Sequence, residues 1–438
     1  MSVLHELLAG SWLDNWLMII PLMFICLFIN MPVWLAMFCG ILVYFLCYSN
    51  VPLMVAIQRL IATTQTPSLL AIPFFILLGT LMSYTGIAAR ILQIANVLVG
   101  RMRGGLGGAN ILVSTMMGGV SASNLADAAM LSRMMVPEME QKGYSRGFAA
   151  AITACGLLIT PIIPPGIALI LYGLVADVSI GSMFMAGILP GLLCSAMLIV
   201  TVWLVAIRRG LKPSSEHWPK PKEVSVALVQ AWPALFLIVA VIGGIRANIF
   251  TPTEAGAVAV LLVMFIGFVI YHELKISHVF TALSETARST ASVMLIIMAS
   301  AALGWIFSLE RAGITVAGFV TSLTDNKYVF LLIINILLLV LGMFLEGSAI
   351  LLILVPLLKP VVAHFGIDPV HFGIIMILNL SLGTLSPPVG TVMLLVCNTV
   401  QVSVGQFMRE AVPLLISLIL LLLVITYIPA ISLLLVWK

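Results

Sequence analysis

The chain has 438 residues, 62% of them hydrophobic and only 8% charged, with a mean hydropathy of +1.23. A water-facing surface on a chain this long needs about 25% charged residues, so a soluble globular protein is excluded and the surface must face lipid. The net charge of +4 is spread through short loops, which argues against a nucleic-acid partner and makes charge a guide to topology.

In chain order, the apolar runs do not all fit the ~20-residue template of a spanning helix. Residues 16–48 are too long for one span and are interrupted at Asn30-Met31-Pro32, which predicts helices over 16–29 and 33–48. The segment before Trp16 carries Glu6 and Asp14 and lacks the basic start of a cleavable signal peptide. An amphipathic stretch at 51–66 carries Gln58 and Arg59, a span follows at 68–84, and 87–100 is again amphipathic. Residues 105–139 run apolar, break at Gly118-Gly119-Val120-Ser121-Ala122-Ser123-Asn124, and run apolar again. Each arm is too short to cross, so the segment reads as a re-entrant hairpin. Such backbone is tolerated at membrane depth only when buried in protein or lining a wet cavity. Residues 147–176, interrupted by Thr160-Pro161-Ile162-Ile163-Pro164-Pro165-Gly166, read as a broken helix. A span at 183–207 leads to a polar loop at 208–230.

The same order then returns. Spans at 231–247 and 253–271 hinge at Thr251-Pro252, and an arm at 276–290 precedes a span at 291–308. A second hairpin at 328–364 breaks around Gly342-Met343-Phe344-Leu345-Glu346-Gly347-Ser348. A second broken helix at 369–400 breaks at Gly383-Thr384-Leu385-Ser386-Pro387-Pro388-Val389-Gly390, and the last span is 411–436. The match reaches single residues: Asp127 stands ten before Pro137 and Glu346 ten before Pro356, while Gly143 stands 21 before Pro164 and Gly366 21 before Pro387. Two Gly/Pro-interrupted segments at matching places in two halves point to a transporter's binding site. The expected fold is all-α and polytopic: a first repeat at 1–207, a cytoplasmic linker at 208–230 and a second repeat at 231–438.

Short cytoplasmic loops carry excess Lys and Arg. Arg101, Arg103, Lys142 and Arg146 flank the first hairpin, and Arg208, Arg209, Lys212, Lys220 and Lys222 fill the linker. Both places are then cytoplasmic, the second hairpin opens outward, and the repeats are inverted copies with both termini outside.

The run from Gly118 to Asp127, then Val136-Pro137-Glu138-Met139, Gly143-Tyr144, Phe148 to Thr153 and Ile163-Pro164-Pro165-Gly166, resembles the large membrane subunit of tripartite ATP-independent periplasmic (TRAP) transporters. Asp368-Pro369, His371-Phe372-Gly373 and Pro387-Pro388-Val389-Gly390 agree in the second half, so the resemblance covers nearly the whole chain. It implies an elevator-type, sodium-driven importer of carboxylates in a bacterial inner membrane. It also implies a small membrane subunit, expected as a separate chain, and a periplasmic substrate-binding protein.

Sodium prefers oxygen ligands, and unwound backbone supplies carbonyls that no helix bond uses. Around the first break the candidates are Ser121, Ser123, Gly156, Thr160, Pro161, Ile163 and Gly166; around the second, Gly342, Gly383, Thr384, Pro387, Val389 and Gly390. Asn124, Asp127, Glu346 and Ser348 lie at the hairpin tips, where they tune the ion sites or meet substrate. Asn124 and Asp127 also read as a local helix cap, and the half-helix N-termini there direct partial positive charge toward a carboxylate. Asn379, Ser381 and Asn398 near the second break read either as substrate contacts or, in preference, as ordinary interhelical hydrogen-bonding groups. Six scattered cysteines without CxxC and histidines unpaired along any span give no metal centre other than sodium. No organic cofactor and no catalytic group is expected. The chain lacks a P-loop and the GxSG and GxGD signatures of intramembrane proteases, so the partners are lipid, the two transporter components and substrate. An ion or anion channel built on inverted repeats is the alternative function.

Overall fold

The computed structural model describes residues 15–29, 31–47, 49, 51–118, 124–213 and 220–436, without the side chains of Asn124 and Ala126. The described chain is helical throughout. Its first part comprises α1 (Ile19–Phe28), α2 (Val33–Cys47), α3 (Leu53–Thr64), α4 (Ala71–Met82), α5 (Ile87–Val99), α6 (Gly105–Gly118), α7 (Asn124–Gln141), α8 (Arg146–Leu157), α9 (Ile167–Ala176) and α10 (Ile180–Arg208). The second comprises α11 (Pro221–Arg246), α12 (Pro252–Phe265), α13 (Ile276–Leu309), α14 (Ala312–Leu323), α15 (Lys327–Phe344), α16 (Gly347–His364), α17 (Pro369–Gly383), α18 (Thr391–Val400), α19 (Val404–Tyr427) and α20 (Pro429–Leu433). Seven of the described helices are long and apolar enough to cross a membrane, and the bent pair α3–α4 makes an eighth candidate.

Local chemistry sets the helix starts. Thr251 and Glu254 cap α12 reciprocally: the Thr251 backbone N–H donates to the Glu254 carboxylate at 2.8 Å, and the Glu254 N–H donates to the Thr251 hydroxyl at 3.3 Å. Pro252 then takes the first helical position, where its missing N–H costs nothing. At α17, Asp368 accepts from the N–H groups of Val370 and His371, ahead of Pro369. Ser145, Ser179 and Ser403 cap α8, α10 and α19 in the same way. The turn from each hairpin into the following helix carries a glycine in the left-handed region, Gly143 (φ +89) and Gly366 (φ +62). Only glycine enters that region without steric cost.

The helices pack in two groups. α1–α4 and α11–α13 pack mainly on one another, α13 lying against α2, α3 and α4; α5 and α14 attach to them at the border, α5 packing on α11 as well as α6, and α14 more on α16 than on α13. α6–α10 and α15–α19 form the other group. Within it the halves interlock, the second arm of each hairpin packing against the distal piece of the other half's broken helix: α7 on α18 and α16 on α9. α5 meets α6, and α13 and α14 meet α16, where the groups adjoin.

Three expectations are corrected. The arm at 276–290 and the span at 291–308 form one continuous 34-residue helix, α13. Its first-half counterpart is bent by 61° between α3 and α4, because Pro67 lacks an N–H and biases Thr66 away from the helical region. The aligned position of α13 holds Met294. The polar loop at 208–230 is shorter than expected, since α11 begins at Pro221, with Glu223 accepting from the Lys220 backbone N–H at 3.2 Å. The last span starts at Val404 rather than 411. Each arm of the second hairpin has 18 residues and is long and apolar enough to cross, unlike the shorter first arm α6.

Candidate functional site

The first broken helix winds tightly before it stops. The N–H groups of Leu158, Ile159 and Thr160 donate to the carbonyls three residues back, at 3.2–3.3 Å, which is the narrower 3₁₀ pattern. The N–H groups of Ile162 and Ile163 both donate to the Ile159 carbonyl, and a cis peptide joins Pro164 to Pro165. Gly166 sits under the carbonyls of Pro161 and Ile163: a Cβ there would stand 2.5 and 3.2 Å from them. The first hairpin meets this break at Gly118, where a Cβ would lie 2.7 Å from Thr160 Cα and 3.2 Å from its Oγ1. A Cβ on Gly156 would lie 2.9 Å from Ser114 Oγ, so α6 and α8 approach nearly backbone to backbone. Thr160 is 2% exposed, and its hydroxyl is without a hydrogen-bond partner among the described residues. A buried polar atom in that state carries a desolvation cost unless something fills its coordination.

The second break repeats the arrangement with different residues. A Cβ on Gly383 would stand 2.6 Å from Gly342 Cα, so hairpin and break touch through two glycines. The Met343 carbonyl accepts from the N–H groups of Val389 and Gly390, at 3.3 and 3.0 Å, stitching the tip to the break. The Thr384 hydroxyl donates to the Ser381 carbonyl at 2.6 Å, leaving its lone pairs free to face a cation. A second cis peptide joins Pro387 to Pro388, and Gly390 is left-handed at the start of α18.

The structure therefore brings together Gly118, Gly156, Thr160, Pro161, Ile163 and Gly166 at one break. At the other it gathers Gly342, Gly383, Thr384, Pro387, Val389 and Gly390. Ser121 and Ser123 lie outside the described residues, as does the side chain of Asn124. Asp127 is in the first turn of α7 and is 5% exposed. Glu346 caps α16, its carboxylate accepting from the Ser348 and Ala349 N–H groups and from the Ser348 hydroxyl at 2.7 Å. That hydroxyl is thus committed to Glu346.

Sequence reasoning missed a polar chain beside the second break. Asn379 donates to Asn335, Asn335 donates to the Thr426 hydroxyl at 3.1 Å, and the His371 ring reaches the Thr426 carbonyl and Ser432. Asn379 was legible as an interhelical bonding group, but its interhelical partner Asn335 is 44 residues away in sequence. The first half has a smaller counterpart, Asn110 donating to Thr153 at 2.7 Å. Glu310, at the end of α13, accepts from the Tyr44 hydroxyl of α2.

Oxygen donors of this kind, backbone carbonyls with one or two hydroxyls, suit a hard monovalent cation, and the orphaned Thr160 hydroxyl fits such an ion at the first break.

Residues 20–431 match the family described as tripartite ATP-independent periplasmic transporter, DctM component. The sialic acid TRAP transporter large permease protein SiaM of Vibrio cholerae is 38% identical over 93% of this chain and 95% of its own length. The C4-dicarboxylate permease DctM of Pseudomonas aeruginosa is 34% identical over 86% and 87%, and the 2,3-diketo-L-gulonate permease YiaN of Escherichia coli 35% identical over 92% and 94%. In fold, the chain is similar to the YdaH transporter of Alcanivorax borkumensis, with a TM-score of 0.64, 15% identity, and coverage of 86% of this chain and 89% of that one. The chain belongs to the DctM family: it is the large, multi-pass permease subunit of a TRAP transporter, a secondary transporter rather than an enzyme, of the type that works with a small membrane subunit and a periplasmic solute-binding protein.

Proposed function

We propose that this subunit imports a small organic acid in symport with sodium, by an elevator movement of α6–α10 and α15–α19 against α1–α5 and α11–α14. The observation that carries the ion sites is the matched pair of glycine contacts, Gly118 on Thr160 and Gly342 on Gly383. Each sets a hairpin tip against an unwound break. Thr160, Pro161, Ile163 and Gly166 would hold one ion, and Gly342, Gly383, Thr384, Pro387, Val389 and Gly390 the other. Bound sodium supplies positive charge beside the half-helix N-termini of α7 and α16, where a carboxylate gains from both.

The charged loops favour an inverted arrangement: Arg101, Arg103, Arg208, Arg209 and Lys212 group on one side, cytoplasmic by the positive-inside rule. The second hairpin then opens to the periplasm, and both termini lie there too. Carboxylate cargo is supported by relatives named for sialic acid, C4-dicarboxylates and diketogulonate. A relative named for isethionate extends the class to a sulfonate.

The test is uptake into liposomes that hold this chain with its small membrane subunit, supplied with the solute-binding protein. Sialic acid, succinate, 2,3-diketogulonate and isethionate are offered singly. Saturable uptake of one acid that requires an inward sodium gradient is the expected result. Uptake indifferent to that gradient would refute the coupling, and non-saturating flux would establish a channel.

A further inference from the structure

Where the two helix groups adjoin lies a cavity of about 430 Å³, lined by none of the residues at the two breaks. Thr63 and Thr66 wall it at the bend between α3 and α4, Gly304 and Ser308 on α13, and Pro356 and Lys359 on α16. Small-molecule sites occupy about 300–1,000 Å³, so the space suits a compact ligand. Lys359 alone among the described lining residues is ionisable. Of the lining hydroxyls, those of Thr63 and Ser300 already donate to the Arg59 and Leu352 carbonyls, so Thr66 and Ser308 stand beside the Lys359 ammonium, with no carboxylate in the described lining, to meet an anion.

Lys359 also borders a second cavity, of about 200 Å³, which it shares with Tyr172 and Asp177. There its Nζ stands 3.9 Å from Asp177 Oδ2, with the Asp177 side chain 91% exposed. An exposed ion pair at that distance contributes little stability, so another carboxylate can take Asp177's place at small cost. Asp368, next in the chain to the lining residues Ile367 and Pro369, is engaged as the cap of α17. Lys359 lies toward the end of α16 away from its capped tip. In the proposed orientation that end faces the periplasm, where substrate arrives.

We infer that Lys359 is the entry residue for the substrate's carboxylate, exchanging Asp177 for it in the cavity between α13 and α16. This rests on the proposed import of an organic acid. The full chain with its small subunit, in nanodiscs and carrying Ser308→Cys, reports the local field through its reactivity toward anionic and cationic methanethiosulfonates. The parent complex with its native cysteines is the blank. Adding Lys359→Met should lower the anionic-to-cationic rate ratio about tenfold, and Lys359→Arg should keep it; an unchanged ratio with Met overturns the inference. Uptake is the second readout. Lys359→Met should raise the half-saturating concentration of the transported acid about tenfold at an unchanged maximal rate, and Asp177→Asn should lower it. A falling maximal rate at unchanged half-saturation would overturn the entry role. If no acid is taken up by the wild-type complex, the import reading fails, while the rate ratio still judges Lys359. Succinate and sialic acid should slow Ser308→Cys modification; slowing by phosphatidylglycerol in the nanodisc, and by neither acid, marks a lipid-headgroup site and overturns the proposal.

Discussion

Thr160 and Thr384 put the same side chain type at two breaks in different states. Thr160 is buried with its hydroxyl unpartnered among the described residues, whereas the Thr384 hydroxyl is already bonded to Ser381. Removing the first should therefore cost more sodium affinity than removing the second. A ligand to a charged group is worth ~1.5–3 kcal/mol, so Thr160→Val should raise the sodium concentration for half-maximal uptake about ten- to a hundredfold. Thr384→Ala should raise it by a factor nearer ten or below, since its loss also frees the Ser381 carbonyl. Sodium titration of uptake at fixed substrate reads both, and equal shifts would mean that the orphaned hydroxyl does not face the ion. The residues at the breaks were legible because Gly and Pro leave a compositional mark. Their states were not: whether a threonine is satisfied depends on a carbonyl three residues away in one case and on a hairpin more than forty residues away in the other.

At the scale of elements, the second hairpin and its break fit because glycines occupy both faces of the contact. A Cβ on Gly383 would be forced to 2.6 Å from Gly342 backbone, with no flexible side chain to yield. Overpacking of this kind costs about 1–3 kcal/mol. Gly383→Ala should therefore lower the melting temperature of the purified complex and abolish uptake. Gly108→Ala, whose Cβ would meet Val99 at an ordinary 3.5 Å, should be neutral or slightly stabilising. Equal behaviour of the two variants would show that the tip contact is slack. Periodicity and punctuation located the breaks between helices and most of the long apolar helices. They failed at α13, where an amphipathic stretch and an apolar stretch fuse into one helix. Amphipathic pattern records which face is wet, not whether the backbone bends, and the bend at α3–α4 is owed to the single residue Pro67. Likewise a polar run such as 208–230 reads as a loop throughout, although a proline, a cap and good helix formers start α11 at residue 221.

At the scale of the molecule, the matched spacings were readable in the sequence, but the packing of one half of the chain against the other was not. The packing of α7 on α18 and of α16 on α9 joins residues more than 170 positions apart, and no local pattern encodes it. That interlock ties both breaks into one group of helices, so a movement of either site carries the other. The proposed elevator then requires slippage where the groups adjoin, and the surface there is suited to it: Gly304 of α13 faces Pro356 of α16, and Gly313 of α14 faces Pro360. Side-chain interdigitation is least where a glycine meets a proline ring. A Cβ built on Gly304 would lie 3.3 Å from the Pro356 Cβ, close to the ~3.5–4.5 Å that a disulfide spans. The double variant Gly304→Cys/Pro356→Cys should therefore cross-link on mild oxidation and hold α16 against α13. Uptake by the oxidised complex should fall to background and return on reduction, while each single variant under the same oxidant keeps transporting. A complex fully cross-linked by mass yet still transporting at the reduced rate would show that α16 does not move past α13 during the cycle, and the mobile element would have to be sought within the hairpins alone.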